Sequence, residues 1–155
     1  MSENIKNLEH IINNHATSDE LRKQTDRFNE ASKTNQLNPD IKFEYAVTLT
    51  RSSLRADYHR AMNLLEDLCV SGNPDAFRDY LFYLIIVNIK LEDYNRALEC
   101  ANKFLQVEPS NRQAQNLLEY IQRKRFNNGM KGLAIVSGVT FAVGATIAAA
   151  FKYFK

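Results

Sequence analysis

Apolar residues in this chain follow the period of a helix. Ile5, Leu8, Ile11 and Ile12 form a stripe on one face of a short segment. The run from Tyr80 to Leu91, YLFYLIIVNIKL, is apolar almost all the way round. Helix start signals punctuate the pattern. Thr17 with Glu20 fits a capping box before ELRKQTDRFNEA, and Ser110 with Gln113 fits a second before QAQNLLEYIQRKRF. Asn38-Pro39 and Asn73-Pro74 each put proline at a first helical position, where its missing N–H costs nothing. These signals predict helices near 3–14, 17–33, 39–54, 57–70, 74–91, 93–106 and 110–127, and no strand. The length and caps of the Tyr80–Leu91 run favour a helix over a strand. The expected fold class is all-α.

A different pattern begins at Gly132. From there to Phe151 the chain reads GLAIVSGVTFAVGATIAAAF, 20 residues without a charge. At the helical rise this spans about 30 Å, the hydrocarbon thickness of a bilayer, so one C-terminal transmembrane helix is expected. Arg123, Lys124, Arg125 and Lys131 precede the span, and Lys152 and Lys155 follow it. Tyr153 sits where an aromatic interface anchor belongs, and the larger upstream cluster favours a cytosolic N-terminal side. With four residues after Phe151, insertion is expected to follow synthesis. Ala134, Gly138 and Ala142 make a small-residue stripe through which two tails could pack, so a homo-oligomer stays open. The expected domains are an N-terminal arm at 1–16, a helical domain at 17–128 and a tail anchor at 129–155. Lys131, Lys152 and Lys155 are the candidate targeting residues.

An internal repeat runs through the helical part. Asp57-Tyr58-His59-Arg60-Ala61 returns as Asp93-Tyr94-Asn95-Arg96-Ala97, each copy opening a helix that follows another helix. This resembles the tetratricopeptide repeat. Counted from Arg78, the second copy puts Leu81, Leu84 and Ile85 at the early positions. Tyr94, Ala97, Ala101 and Phe104 fall in its second helix, and Pro109 at its close. Ala97 and Ala101 are small where two helices cross closely, and Pro109 stops the second helix. The copy from Lys42 is weaker. Leu65 replaces a small residue, and two extra residues enlarge the turn. Two repeats with flanking helices make a short curved stack with a concave side.

Function is expected on that concave side. Leu81, Leu84, Ile85 and Asn88 take the face packing within the repeat, leaving Phe82, Ile86 and Ile89 at i, i+4, i+7 for the groove. The first copy offers Phe43, Ala46, Thr50 and Ser53 at matching positions. Such a surface needs a cover: neighbouring helices, a partner helix, or the arm through Ile5, Leu8 and Ile12.

Composition narrows the function classes. Lys and Arg number 20 against 18 Asp and Glu, a net charge of +2 that gives no reason to expect a nucleic-acid partner. The N-terminus MSENIKNLEHIINN lacks the profile of a secretory signal, and Glu3 and Glu9 argue against a mitochondrial presequence. Gly72 is the one glycine before position 129, which leaves no phosphate-binding loop. His10, His15 and His59 have no metal-ligand spacing and read as solvated. Cys69 and Cys100 read as reduced packing residues. No catalytic residue, cofactor or metal site is expected, and the chain is not expected to be an enzyme.

Order and spacing of several further segments resemble one family. They are Phe43-Glu44-Tyr45-Ala46, Arg51-Ser52, Leu64-Leu65-Glu66, Arg78-Asp79-Tyr80 with Phe82-Tyr83-Leu84, Tyr94 with Arg96-Ala97-Leu98, and Glu108-Pro109-Ser110-Asn111. Gln113-Ala114 and the glycine-bearing tail after Lys131 continue the match. From Ser18 onward the chain is similar to the mitochondrial fission 1 protein family. It departs at Val47, where an aromatic residue is usual, and at Val87, where a glycine is usual. The resemblance implies a tail-anchored adaptor on the mitochondrial outer membrane and often on peroxisomes. Such an adaptor recruits a dynamin-related GTPase, directly or through other adaptor proteins, to promote fission. Two rivals follow from the same residues. A docking receptor for chaperones or imported proteins would want Lys and Asn in the groove to grip a carboxylate, where Phe82 and Ile86 stand. A pore-forming helical protein would need a buried apolar hairpin.

Overall fold

The computed structural model describes residues 3–127, with side chains from 6 to 126. Seven helices follow one another: α1 Glu3–Asn13, α2 Ser18–Lys33, α3 Pro39–Thr50, α4 Arg55–Ser71, α5 Phe77–Lys90, α6 Tyr94–Val107 and α7 Arg112–Asn127. A 3-10 turn, Pro74–Ala76, leads into α5. No strand occurs among the described residues, and no helix among them is long and apolar enough to cross a membrane. The run 132–151, with Lys131, Lys152 and Lys155, lies outside the described residues.

Each helix from α2 to α7 packs on the next, and α3, α5 and α7 also touch one another in order. That is the arrangement of stacked helix pairs, α3 with α4 and α5 with α6, closed by α7. The first helices of the pairs form one layer. Behind it α4 and α6 meet through Arg96, which pairs with Glu66 and reaches the Met62 sulfur at 3.5 Å. Helix α1 packs on α7 and puts Leu8 and Ile12 into the common core. The arm is therefore part of the folded unit. Small residues sit at the tight crossings as expected: Ala61, Ala97 and Ala101 are fully buried, and so is Leu65.

The local rules account for most helix ends. The capping box at α2 forms completely, with Thr17 Oγ1 accepting from Glu20 N–H and the Glu20 carboxylate accepting from Thr17 N–H. Asn38 caps α3 through Ile41 N–H at 2.9 Å. Three ends differ from expectation. The side chain that caps α7 is Asn111, accepting from Ala114 N–H at 3.0 Å, in place of Ser110. The turn closed by Asn111 N–H on Glu108 O, through Pro109, brings Asn111 to the cap position. Asn73 accepts from Asp75 N–H and so closes a 3-10 turn, delaying α5 to Phe77. Finally α3 stops at Thr50 and α4 starts at Arg55, because the Ser52 hydroxyl donates to Asp57 and accepts from Leu54 N–H. Asp93 caps α6, whereas its repeat counterpart Asp57 lies inside α4.

Two backbone positions carry testable consequences. A Cβ at Gly72 would stand 2.5 Å from Leu68 O and 2.6 Å from the Tyr80 ring, so Gly72→Ala should cost about 1–3 kcal/mol. Glu92 ends α5 at φ 62°, a left-handed conformation that a side chain disfavours. Glu92→Gly should therefore stabilise the domain by about 0.5–1 kcal/mol. Urea unfolding of both variants checks the opposite signs.

Candidate functional site

The residues of α5 show how the face is built. Tyr80, Leu81 and every residue from Leu84 to Ile89 are buried, while Phe82 and Tyr83 are half-buried. Leu81, Leu84, Ile85 and Asn88 face the packing neighbours, as their spacing predicts. Ile86 is only 2% exposed and Ile89 4%, although they stand on the remaining face. Just after α1, Ala16 N–H bonds Arg51 O at the end of α3 (2.8 Å), while the body of α1 packs on α7. Leu8 and Ile12 of α1 belong to the same core cluster as Ile86 and Ile89. They are 5% and 7% exposed.

The expected groove residues therefore divide. Ala46, Thr50, Ile86 and Ile89 are buried, Phe43 and Phe82 keep a partial surface, and Ser53 is exposed in the turn beyond α3. Ala46 fills a helix contact, and the Thr50 hydroxyl donates to Val47 O. Ile5 lies on α1, and its side chain is outside the described residues.

What stays accessible is a strip between α3 and α5. Phe43, Val47 and Arg51 stand at i, i+4, i+8 on α3 and its cap, and each is half-buried. Phe43 meets the Tyr80 and Tyr83 rings edge-on, at centroid distances of 5.1 and 5.7 Å, and Tyr83 meets Phe82 at 5.3 Å. Burial pushes the Tyr83 phenol up, and it stays neutral. At the other end Lys90 donates to Thr50 O and lies 5.0 Å from the Tyr58 ring centroid. Burial, then the neighbouring Arg51, holds its pKa below the usual lysine value. Arg51 reaches Glu20 only at 3.5 Å, and its Nε is buried without a partner. Val47, Arg51, Tyr83 and Lys90 were not among the expected lining residues. The i, i+4, i+8 spacing of Phe43, Val47 and Arg51 marks one face of α3, but nothing local in the sequence joins Tyr83 and Lys90 to it.

The other candidate groups lie elsewhere. His10, His15 and His59 are exposed. Cys69 and Cys100 are free and buried, and burial raises both thiols, Cys100 to about 12, which makes them inert packing groups. A cleft of about 510 Å³ opens between the start of α5 and the end of α6, floored by Phe77, Leu81 and Phe104 and crossed by an Arg78–Glu108 ion pair.

If α1 alone shields Ile86, a double-mutant cycle will show it. In the chain with its arm, Ile86→Glu buries an unpaired carboxylate and should cost several kcal/mol. In a chain lacking residues 1–15 the same change should cost about 1 kcal/mol or less. Equal penalties in the two backgrounds, measured by thermal and urea unfolding, would place the cover elsewhere.

Comparison with known proteins identifies the family and the fold. Residues 78–130, which hold α5 to α7, match the family described as Fis1 C-terminal tetratricopeptide repeat. The chain is 33% identical to the mitochondrial fission 1 protein of Mus musculus over 136 residues, covering 88% of this chain and 90% of that one. It is 34% identical to that of Tuber borchii over 139 residues, covering 89% and 88%. Among solved structures it resembles yeast Fis1 in complex with an Mdv1 fragment containing N-terminal extension and coiled-coil domains. The TM-score is 0.69 at 19% identity, over 76% of this chain and 91% of that chain.

Proposed function

The chain belongs to the mitochondrial fission 1 protein family, and we propose that it is an adaptor that promotes organelle fission by displaying a helical docking face on the mitochondrial outer membrane. In this reading the span 132–151 anchors the chain, the described domain faces the cytosol, and a dynamin-related GTPase is recruited, directly or through an adaptor protein. Peroxisomes are a second proposed address. The chain itself supplies no catalytic step. The observation that carries the reading is the half-open strip of Phe43, Val47, Phe82 and Tyr83 between α3 and α5. Aromatic and aliphatic anchors in a shallow groove suit an amphipathic partner helix. The solved yeast relative bound to an Mdv1 fragment supports the adaptor role. The uncharged length of 132–151 and its flanking lysines support the anchor.

Truncation after Asn128 tests the anchor. The shortened chain should leave the membrane fraction, and cells relying on it should show elongated mitochondria. Sedimentation with membranes after a carbonate wash would contradict the reading. Lys152→Glu with Lys155→Glu should move much of the full chain from mitochondria to the endoplasmic reticulum or cytosol, because sorting responds to flanking charge. Unchanged localisation in microscopy would remove the role given to those two lysines.

A further inference from the structure

The accessible strip has two chemically different ends. Phe43 contacts Tyr80 and Tyr83 near the starts of α3 and α5, while Lys90 bonds Thr50 O at their ends. The two helices therefore run side by side in the same direction. The first end is aromatic, Val47 is in the middle, and Arg51 and Lys90 form the second end. From Phe43 to Arg51 is eight residues, about 12 Å along a helix.

The second end has more positive charge than the domain neutralises. Lys90 makes no ion pair with a carboxylate among the described residues. Its described partners are a carbonyl and an aromatic ring, with Arg51 as its charged neighbour. Glu20 is the carboxylate that approaches Arg51, at 3.5 Å, and it is already committed to Thr17 N–H in the capping box. Asp57, beside Tyr58, is held by the Ser52 hydroxyl at 2.6 Å and by Arg60 at 3.6 Å. Of the two cations at the end of the apolar strip, Arg51 thus has one distant carboxylate and Lys90 has none among the described residues. Both side chains keep solvent access with α1 in place. The Arg51 terminal nitrogens approach Glu20 Oε1 only at 3.5 Å, so the guanidinium keeps donors for a closer carboxylate.

We propose that the partner is a helix with an acidic side chain about two turns from an apolar anchor. The anchor seats against Phe43, Val47 and Tyr83, and the carboxylate sits over Arg51 and Lys90. This rests on the docking function proposed above and adds the chemistry of the partner. Arg51 supplies planar paired donors, and Lys90 a second charge at no cost to its bond with Thr50 O. The apolar end contributes most of the affinity, while the charged end fixes direction, since a helix docked in reverse would place its carboxylate over Phe43.

The test uses the full chain in lipid nanodiscs and two designed peptides. Each is an amphipathic helix of about 20 residues, acetylated and amidated, with a Phe anchor. One carries Glu and its twin Gln, seven positions away. The Glu peptide should bind about tenfold more tightly at low ionic strength, and the advantage should fade as salt is raised. Arg51→Gln and Lys90→Gln should each bring the twins to within about twofold, with thermal melting of each variant as the control for folding. Arg51→Lys should restore part of the preference. Phe43→Ala should weaken both twins alike. Twins that bind equally while Phe43→Ala still weakens them would overturn the carboxylate site and leave docking intact. If neither twin binds, or Phe43→Ala changes nothing, docking on this strip fails and the inference with it.

Discussion

The structure depends on the burial of α5. The helix carries apolar residues around almost its whole circumference, and nine of its fourteen residues are buried. No single packing partner can cover such a helix, because a neighbour shields only one stripe. The domain meets the requirement with α3, α4, α6 and α7 packed on α5, while α1 packs on α7 and adds Leu8 and Ile12 to the same core. Each fully buried Leu or Ile contributes about 1.5–3 kcal/mol, so Ile86 and Ile89 together justify a covering element of modest length. The repeat, the closing helix and the arm are three answers to one constraint.

A second constraint acts at the helix ends, where backbone groups need partners. The C-terminal turn of α3 meets it with chemistry from three other places in the chain. Thr50 O takes Lys90 from α5, Arg51 O takes the N–H of Ala16, and Ser52 O takes the Tyr58 hydroxyl. Cations near a helix C-terminus also gain from its dipole. The same turn therefore fixes where the arm starts, how α3 and α5 register, and why two positive charges stand together. The cation pair at the strip's end follows from satisfying carbonyls, and recognition can use it without any further structural cost.

Much of this was legible in the sequence, for reasons that differ by residue. The Thr17–Glu20 box and the Asn38 cap are local contacts within four residues, so spacing alone reads them. Asn111 was missed in favour of Ser110 because the turn at Glu108–Asn111 sets the cap, and its shape depends on Pro109. Repeat positions such as Ala61 and Ala97 were legible from residue size. The docking face was only half legible. The i, i+4, i+7 rule picks out Phe82, Ile86 and Ile89 as one face, but periodicity within a helix does not say which neighbour crosses it. Arg51 and Lys90 escaped notice because a charge at a helix end reads as ordinary solvation, and their juxtaposition is a contact across 39 residues.

The arm and the strip are energetically unequal, and this bears on how the face would be used. An isolated helix of eleven residues is marginal in water, so α1 owes its structure to the groove it fills. Leu8 and Ile12 hold its middle and last turn, and the Ala16–Arg51 bond holds the chain just beyond, while Ile11 stays 39% exposed. Such an element opens at lower free energy than the core beneath it. The strip beside it requires no opening, since Phe43, Tyr83, Arg51 and Lys90 already reach solvent. A partner helix can therefore make first contact on the strip with the arm still closed. It gains the surface of Ile86 and Ile89 only by displacing Leu8 and Ile12, an exchange of one apolar cover for another. Because that exchange is nearly balanced, the contacts that decide between partners are those on the strip, where the arm offers nothing in return.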